Sequence, residues 1–340
     1  MAEKMKSQLY FYCSLTEEKY EKIDTLKVEV EFFPLIQSIL SVSLSELGKV
    51  ATIPISKRLA LSCLQRPMKN CQLETVDVID PEVPVCNTPC YTGVTFLPGD
   101  RLMLADYHNK QCILLSSSYQ FITSHTLTNK PLKICVLDDL EVAVSLYNQN
   151  EIQILSVVGD VIRPVRTITT KYNSSGIAAA GKGEMVVNGD CGDNKGHWSL
   201  INRRGDVKYS HQYGYVHNNN SYVALNNRET RVYVTMPSMN LLVCFDMDGR
   251  KQFIYSSYNL KYPIGVDVDR HDNIYVLGWS SHNIHQLSPD GSVLQVITSG
   301  VPKYPKVICI HKSKDMVIIT NGSDNTQLHI YQLKSNRRPV

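Results

Sequence analysis

Leu102–Leu115 reads LMLADYHNKQCILL and Val142–Leu155 reads VAVSLYNQNEIQIL; the two align without a gap at an offset of 40 residues. Each is an apolar strand, a short polar loop and a second apolar strand. Val232–Phe245 (VYVTMPSMNLLVCF) and Ile274–Leu287 (IYVLGWSSHNIHQL) repeat the shape, and longer-looped versions run over Glu184–Ile201 and Met316–Tyr331. The last residues of the six units, Leu115, Leu155, Ile201, Phe245, Leu287 and Tyr331, are spaced 40, 46, 44, 42 and 44 residues apart. Several short strands recurring with a period of roughly 40–45 residues are the signature of propeller blades.

The flanks complete each unit. Gly93-Val94-Thr95-Phe96 and Gly265-Val266-Asp267-Val268 are alternating strands, each followed by a turn cluster. Asp248-Gly249 and Asp290-Gly291, with Gly205-Asp206 and Gly159-Asp160 at comparable places, signal tight hairpins in which both central residues take positive φ. A fourth strand follows, as at Lys251–Tyr255 and Leu294–Thr298. The sixth unit has only a polar remnant, Gln332–Val340, after it. Its outer strand is therefore missing, while Gln72–Ile79 (QLETVDVI) is a strand without a blade. The expectation is an all-β, six-bladed propeller over residues 70–335, closed by that N-terminal strand, because an open sheet edge invites aggregation. Residues 336–340 are a tail. Residues 1–60 form a separate extension in which Leu35, Ile36, Ile39, Leu40, Leu44 and Leu47 suggest a short amphipathic α-helix ending near Gly48. That helix either packs on the propeller or forms a dimer seam.

Composition narrows the function classes. Apolar residues make up 43% of 340, enough for a large core, and the net charge of +3 is too small to argue for general nucleic-acid binding. The N-terminus lacks the apolar core of a secretory signal, and Phe32–Leu47 is too short and polar to span a bilayer. A cytoplasmic chain without membrane contact is expected. The ten cysteines are then thiols. Cys86 and Cys90 are the one close pair and lack the second pair a zinc site needs. The Asn-x-Ser matches at Asn173, Asn219 and Asn321 carry no weight in such a chain.

YPIGVDVDRHDNIYVLGWSSHNIHQLSPDG (Tyr262–Gly291) and GVTFLPGDRLMLADYHNKQCILL (Gly93–Leu115) resemble NHL repeats. The repeat's Asp after the second strand is matched only by Asp106; Leu146, Met236 and Gly278 stand at the equivalent positions. Thr25–Val50 (TLKVEVEFFPLIQSILSVSLSELGKV) resembles the segment joining coiled coil to propeller in tripartite-motif proteins, so the extension reads as a remnant of that linker. In that family a RING and B-boxes transfer ubiquitin and the propeller selects the target. No RING or B-box ligand series occurs here, so the resemblance implies target binding and not ligase activity.

In a four-stranded blade, the loop entering the blade and the loop between its second and third strands share one face. That face collects Tyr107, His108 and Asn109 from blade one, and Lys133, Tyr147, Asn148 and Gln149 from blade two. It takes Ser238 and Asn240 from blade four; Lys261, Tyr262, Trp279, Ser280, His282 and Asn283 from blade five; and Lys303, Tyr304 and Lys306 from blade six. Aromatic residues anchor protein interfaces, and aromatics beside lysines also suit unstacked bases and phosphates. Each residue alone is equally an ordinary solvated loop position; grouped on a rigid rim they read as a binding surface. Trp279 is the foremost candidate, being a loop tryptophan. A second basic set, Arg203, Arg204, Lys208, Arg228 and Arg231, reads as a solvated edge. No nucleophile elbow, zincin motif, Walker loop or dinucleotide fingerprint appears, and no cofactor or metal site is assigned. The leading expectation is a non-catalytic platform for a protein partner, monomeric without its coiled coil. Single-stranded RNA binding is the alternative, followed by a metal-dependent propeller enzyme such as a lyase.

Overall fold

A computed structural model of the chain describes residues 71–171, 173–190, 195–215, 221–322 and 326–335. The predicted helix near 35–48 and the tail at 336–340 lie outside them. The described residues form six four-stranded antiparallel sheets, one per blade. Blade one is β2 (Tyr91–Phe96), β3 (Leu102–Asp106), β4 (Gln111–Leu115) and β5 (Phe121–Thr126); blade two is β6 (Pro131–Val136), β7 (Glu141–Leu146), β8 (Glu151–Val158) and β9 (Val161–Thr169). Blade three is β10 (Asn173–Ala180), β11 (Glu184–Asp190), β12 (Lys195–Ile201) and β13 (Val207–Tyr215). Blade four is β14 (Val223–Leu225), β15 (Arg231–Met236), β16 (Leu241–Asp246) and β17 (Lys251–Ser256). Blade five is β18 (Pro263–Val268), β19 (Ile274–Gly278), β20 (Asn283–Leu287) and β21 (Val293–Ile297). Blade six takes β22 (Pro305–His311), β23 (Met316–Asn321) and β24 (Leu328–Ser335) from the chain's end and β1 (Cys71–Ile79) from before blade one. β1 pairs with β24 from Cys71↔Ser335 to Ile79↔Leu328, so the expected latch is present as the outer strand.

Strand alternation explains why the blades stack. In blade one, Met103, Ala105, Cys112 and Leu114 pack against Val142, Val144, Leu146 and Leu155 of blade two. Their neighbours Leu102, Leu104, Ile113 and Leu115 face the other way, into a cluster with Ile318, Leu328 and Ile330 of blade six. Period-two side chains thus serve two interfaces, and β3, β4, β19 and β20 are buried on both faces. The outer strand β21 is only partly covered.

The hairpins closing the third and fourth strands of blades three, four and five differ from the expectation in one respect. Only the glycine is left-handed, with φ of 91° at Gly205, 78° at Gly249 and 88° at Gly291. A bulge follows in each partner strand, at Leu200/Ile201, Cys244/Phe245 and Gln286/Leu287. These are bulged turns that need one left-handed residue, not tight two-residue turns that need two.

The face opposite the candidate rim is sewn by charge. Arg203 in blade three reaches Asp138 and Glu141 in blade two, and Arg270 in blade five meets Asp315 in blade six at 2.6 Å. Lys314 of blade six pairs with Asp100 of blade one, and Arg231 of blade four donates to the Pro289 carbonyl of blade five at 3.1 Å. Lys208 pairs with Glu184 inside blade three. Arg203 and Arg231 thus make contacts between blades, whereas Arg204, Lys208 and Arg228 are exposed, as a solvated edge requires.

Candidate functional site

The loops entering each blade and those between second and third strands place the candidates in two groups. In blades five and six, Tyr262, Trp279, Tyr304 and His282 form a ladder. Ring centroids lie 5.6 Å apart for Tyr262–Trp279, 4.9 Å for Trp279–Tyr304 and 4.4 Å for the edge-on His282–Tyr304 pair. Backbone bonds hold it: Trp279 N donates to the Tyr262 carbonyl at 3.2 Å, Tyr262 N to Asn240 Oδ1 at 2.7 Å, and Tyr304 N to His282 Nδ1 at 2.9 Å. The last bond leaves the His282 ring proton on Nε2 when the ring is neutral. Tyr262 and Tyr304 have φ of 50° and 53°, a left-handed conformation that bulky side chains rarely adopt. Each precedes a proline, Pro263 or Pro305, that starts an inner strand.

Trp279 is half-buried, lying over Gly322, where an added Cβ would sit 2.3 Å from its indole nitrogen. Its role is partly to pack the rim. The exposed aromatic surface belongs instead to Tyr304 and to Tyr258, which is 88% exposed with the Lys261 ammonium 4.8 Å from its ring centre. Lys303 and Ser280 are exposed beside them. Asn283 is buried and donates to the Asn259 carbonyl at 2.7 Å, a structural bond.

The second group lies around the central channel. Tyr107 and Tyr147 meet edge to face at 5.5 Å, and Lys130 sits 4.7 Å above Tyr107. Burial, with Tyr147 and Cys90 adding, raises the Tyr107 pKa. His108 Nδ1 contacts the Thr88 carbonyl at 2.9 Å, and Asn109 donates to the Asn87 carbonyl and to Asp106. Asp106 is fully buried and also accepts from Cys90 N, so it ties the entering loop to the second strand. Asn148 is exposed.

Lys133 and Lys306 are not rim-loop residues. They lie in the inner strands β6 and β22. With Cys90, Thr92, Tyr107, His108, Leu132, Tyr147, Ser175 and Tyr222 they line a cavity of about 330 Å³ that the loops of blades one and two border. Lys133 is 7% exposed. Its ammonium lies 3.0 Å from the centre of the Tyr222 ring, from blade four, and donates to the Thr92 carbonyl of blade one. Tyr222 Oη donates to the same carbonyl at 3.3 Å. A contact joining blades one, two and four at their innermost strands crosses the channel. Burial first, and then Lys306, pushes the Lys133 pKa well below its ordinary value. Tyr222, Thr92, Lys130 and Tyr258 were absent from the sequence-based set. Lys130 and Tyr258 carried a signal, each standing in a loop just ahead of an inner-strand proline. Tyr222 and Thr92 carried none.

Among the described residues, no three His, Cys, Asp or Glu side chains are arranged to hold a metal ion. None of their helices is long and apolar enough to cross a membrane.

Comparison with known proteins agrees with the fold. A family model described as a β-propeller repeat (SBBP) matches residues 249–285. No curated protein matches. Among solved structures, a luciferin-regenerating enzyme is similar with a TM-score of 0.59 at 15% identity, over 78% of this chain and 96% of that one. Virginiamycin B lyase from Staphylococcus aureus gives 0.54 at 13%, over 78% and 89%. The β-propeller domain of Cps50 (Swd1) from Myceliophteria thermophila gives 0.54 at 12%, over 72% and 84%. At such identities the likeness is one of architecture, and the chain is a six-bladed β-propeller containing a recognisable β-propeller repeat.

Proposed function

We propose that this propeller is a non-catalytic, NHL-type platform that recognises a protein partner through the rim of blades five and six, as the target-selecting part of a tripartite-motif-like system in the cytoplasm. The observation that carries it is the continuous ladder Tyr262–Trp279–Tyr304–His282, flanked by exposed Tyr258, Lys261 and Lys303. A rigid aromatic surface loses little conformational entropy on binding and is what protein hot spots are made of. The structural neighbours include two proteins named as enzymes, so fold likeness does not separate binding from catalysis. The reading rests on the rim.

Single-stranded RNA has less support. Of the four lysines that suggested it, Lys133 is buried and Lys306 half-buried at the channel. Lys261 and Lys303 remain.

The test is quantitative capture by the immobilised full chain, wild type against the Tyr258→Ala/Tyr304→Ala double variant. A specific protein should be retained through RNase treatment and raised salt, and its affinity should fall by about thirtyfold in the variant at an unchanged melting temperature. Retention that ignores both substitutions refutes the rim. Capture abolished by RNase and steeply weakened by salt favours RNA.

A further inference from the structure

The channel-mouth cavity contains two lysines and a histidine, and no Asp or Glu lines it. An ammonium has three donors. Lys133 uses one on the Thr92 carbonyl and turns toward the Tyr222 ring. Lys306 has no hydrogen-bond or ion-pair partner among the described residues. Lysines are almost never buried without a counter-ion, because removing the charge from water costs several kcal/mol that only a partner offsets. Arg203, Arg270, Lys312 and Lys314, all partly exposed, each meet a carboxylate; the two lysines of the cavity have none in its lining. Its remaining lining is suited to an organic anion, with the rings of Tyr107, Tyr147 and Tyr222 as walls and the hydroxyls of Thr92 and Ser175 among its polar groups. Its volume, about 330 Å³, is at the small end of ligand pockets.

We propose that the mouth of the central channel binds a small phosphate- or carboxylate-bearing molecule, with Lys133 and Lys306 as its two cationic anchors. The site shares no residue with the ladder of blades five and six and stands or falls independently of the partner-binding reading. A long polyanion does not fit: Lys133, at 7% exposure, is reached only from inside the cavity. An anion beside Lys133 also favours its protonated form, opposing the burial and the Lys306 charge that lower its pKa. The other titratable groups facing the amine are Cys90, His108, Tyr107, Tyr147 and Tyr222.

The experiment is isothermal titration and thermal shift on the full chain, with inorganic phosphate and with succinate as probes, against sodium chloride at matched ionic strength. At least one probe should bind and raise the melting temperature. Lys306→Met and Lys133→Met should each weaken that binding by about tenfold or more, the usual contribution of a charge-assisted bond, whereas Lys182→Met on the opposite face should not. If Lys133→Met fails to melt cooperatively, Lys306→Met decides alone. Neither probe exceeding the chloride control, or a shift that survives in the cavity variants, overturns the assignment.

Discussion

Replacing Lys133 by Met should leave the propeller about as stable, although Lys133 makes two visible contacts. The substitution removes a donor to the Thr92 carbonyl, about 1.5–3 kcal/mol, and a desolvated cation–π contact, about 2 kcal/mol. Against this stands the cost of holding an ion in a buried site, several kcal/mol, increased by Lys306. The Thr92 carbonyl is not orphaned, because Tyr222 Oη still donates to it. Met keeps most of the stem's volume. Losses of about 3.5–5 kcal/mol against a burial cost of several kcal/mol nearly cancel, so the variant should melt within a few degrees of the wild type. The pH profile supplies the sharper assay. The folded amine has a pKa below the unfolded value of about 10.4, so between the two values the unfolded chain holds the extra proton. Stability of the wild type therefore rises with pH in that window and is lost as pH falls toward the folded pKa. Thermal melts without added oxyanion, followed downward from about pH 10, should show this slope in the wild type and lack it in Lys133→Met. A variant that melts several degrees lower, with the two slopes coinciding, would refute the reasoning.

Removing the first 80 residues should open the ring: β1 offers eight paired residues to β24 and packs Leu73 against blade six. At about 0.5–1.5 kcal/mol per hydrogen bond the loss is several kcal/mol, visible as a broadened calorimetric transition and as oligomers in light scattering; an unchanged monomeric melt would contradict it. Gly322→Ala should push the indole of Trp279 off its seat, since the new Cβ would also sit 3.0 Å from the Tyr304 carbonyl. The emission of Trp279 should shift red at a cost of about 1–3 kcal/mol, and an unchanged spectrum would show that the indole does not rest there. Burial lowers the pKa of His125, His285 and His329, so the unfolded chain protonates first, and stability should fall as pH drops below about 6.5. A melting temperature flat from about pH 7.5 to 5.5 would count against that. Arg203→Ala should cost about 1 kcal/mol, because its partners are partly exposed, and the cost should shrink in high salt.

The blade count and the latch were legible in the sequence because both depend on spacing. A strand–loop–strand unit repeating near every forty residues leaves few other architectures, and a last unit short of a strand identifies its donor. The ladder was legible in part, since a Lys-Tyr-Pro run ahead of blades five and six marks equivalent loops. The channel was not. Each of five inner strands carries an irregularity within its first few residues, at Tyr91/Gly93, Pro131/Lys133, Ser174/Gly176, Pro263/Val266 and Pro305/Val307. An extra residue shifts the alternation by one and changes which side chain faces inward. Lys133 and Lys306 stand at those shifts, so their sequence neighbours gave no sign that they point to the channel. The direction of Tyr222 depends on β14, only three residues long, which offers no alternation to read.

The latch also determines how the molecule responds to load. Cys71 lies opposite Ser335 at one end of the β1–β24 pair, so the outer ends of the two latch strands are adjacent points. Tension applied through those two points acts across the strands and parts them one residue pair at a time, the way a zipper opens, whereas strands pulled along their length must slide past each other all at once. A ring that heat unfolds cooperatively would therefore yield to a weak, steady pull, starting at blade six and surrendering the remaining blades in turn.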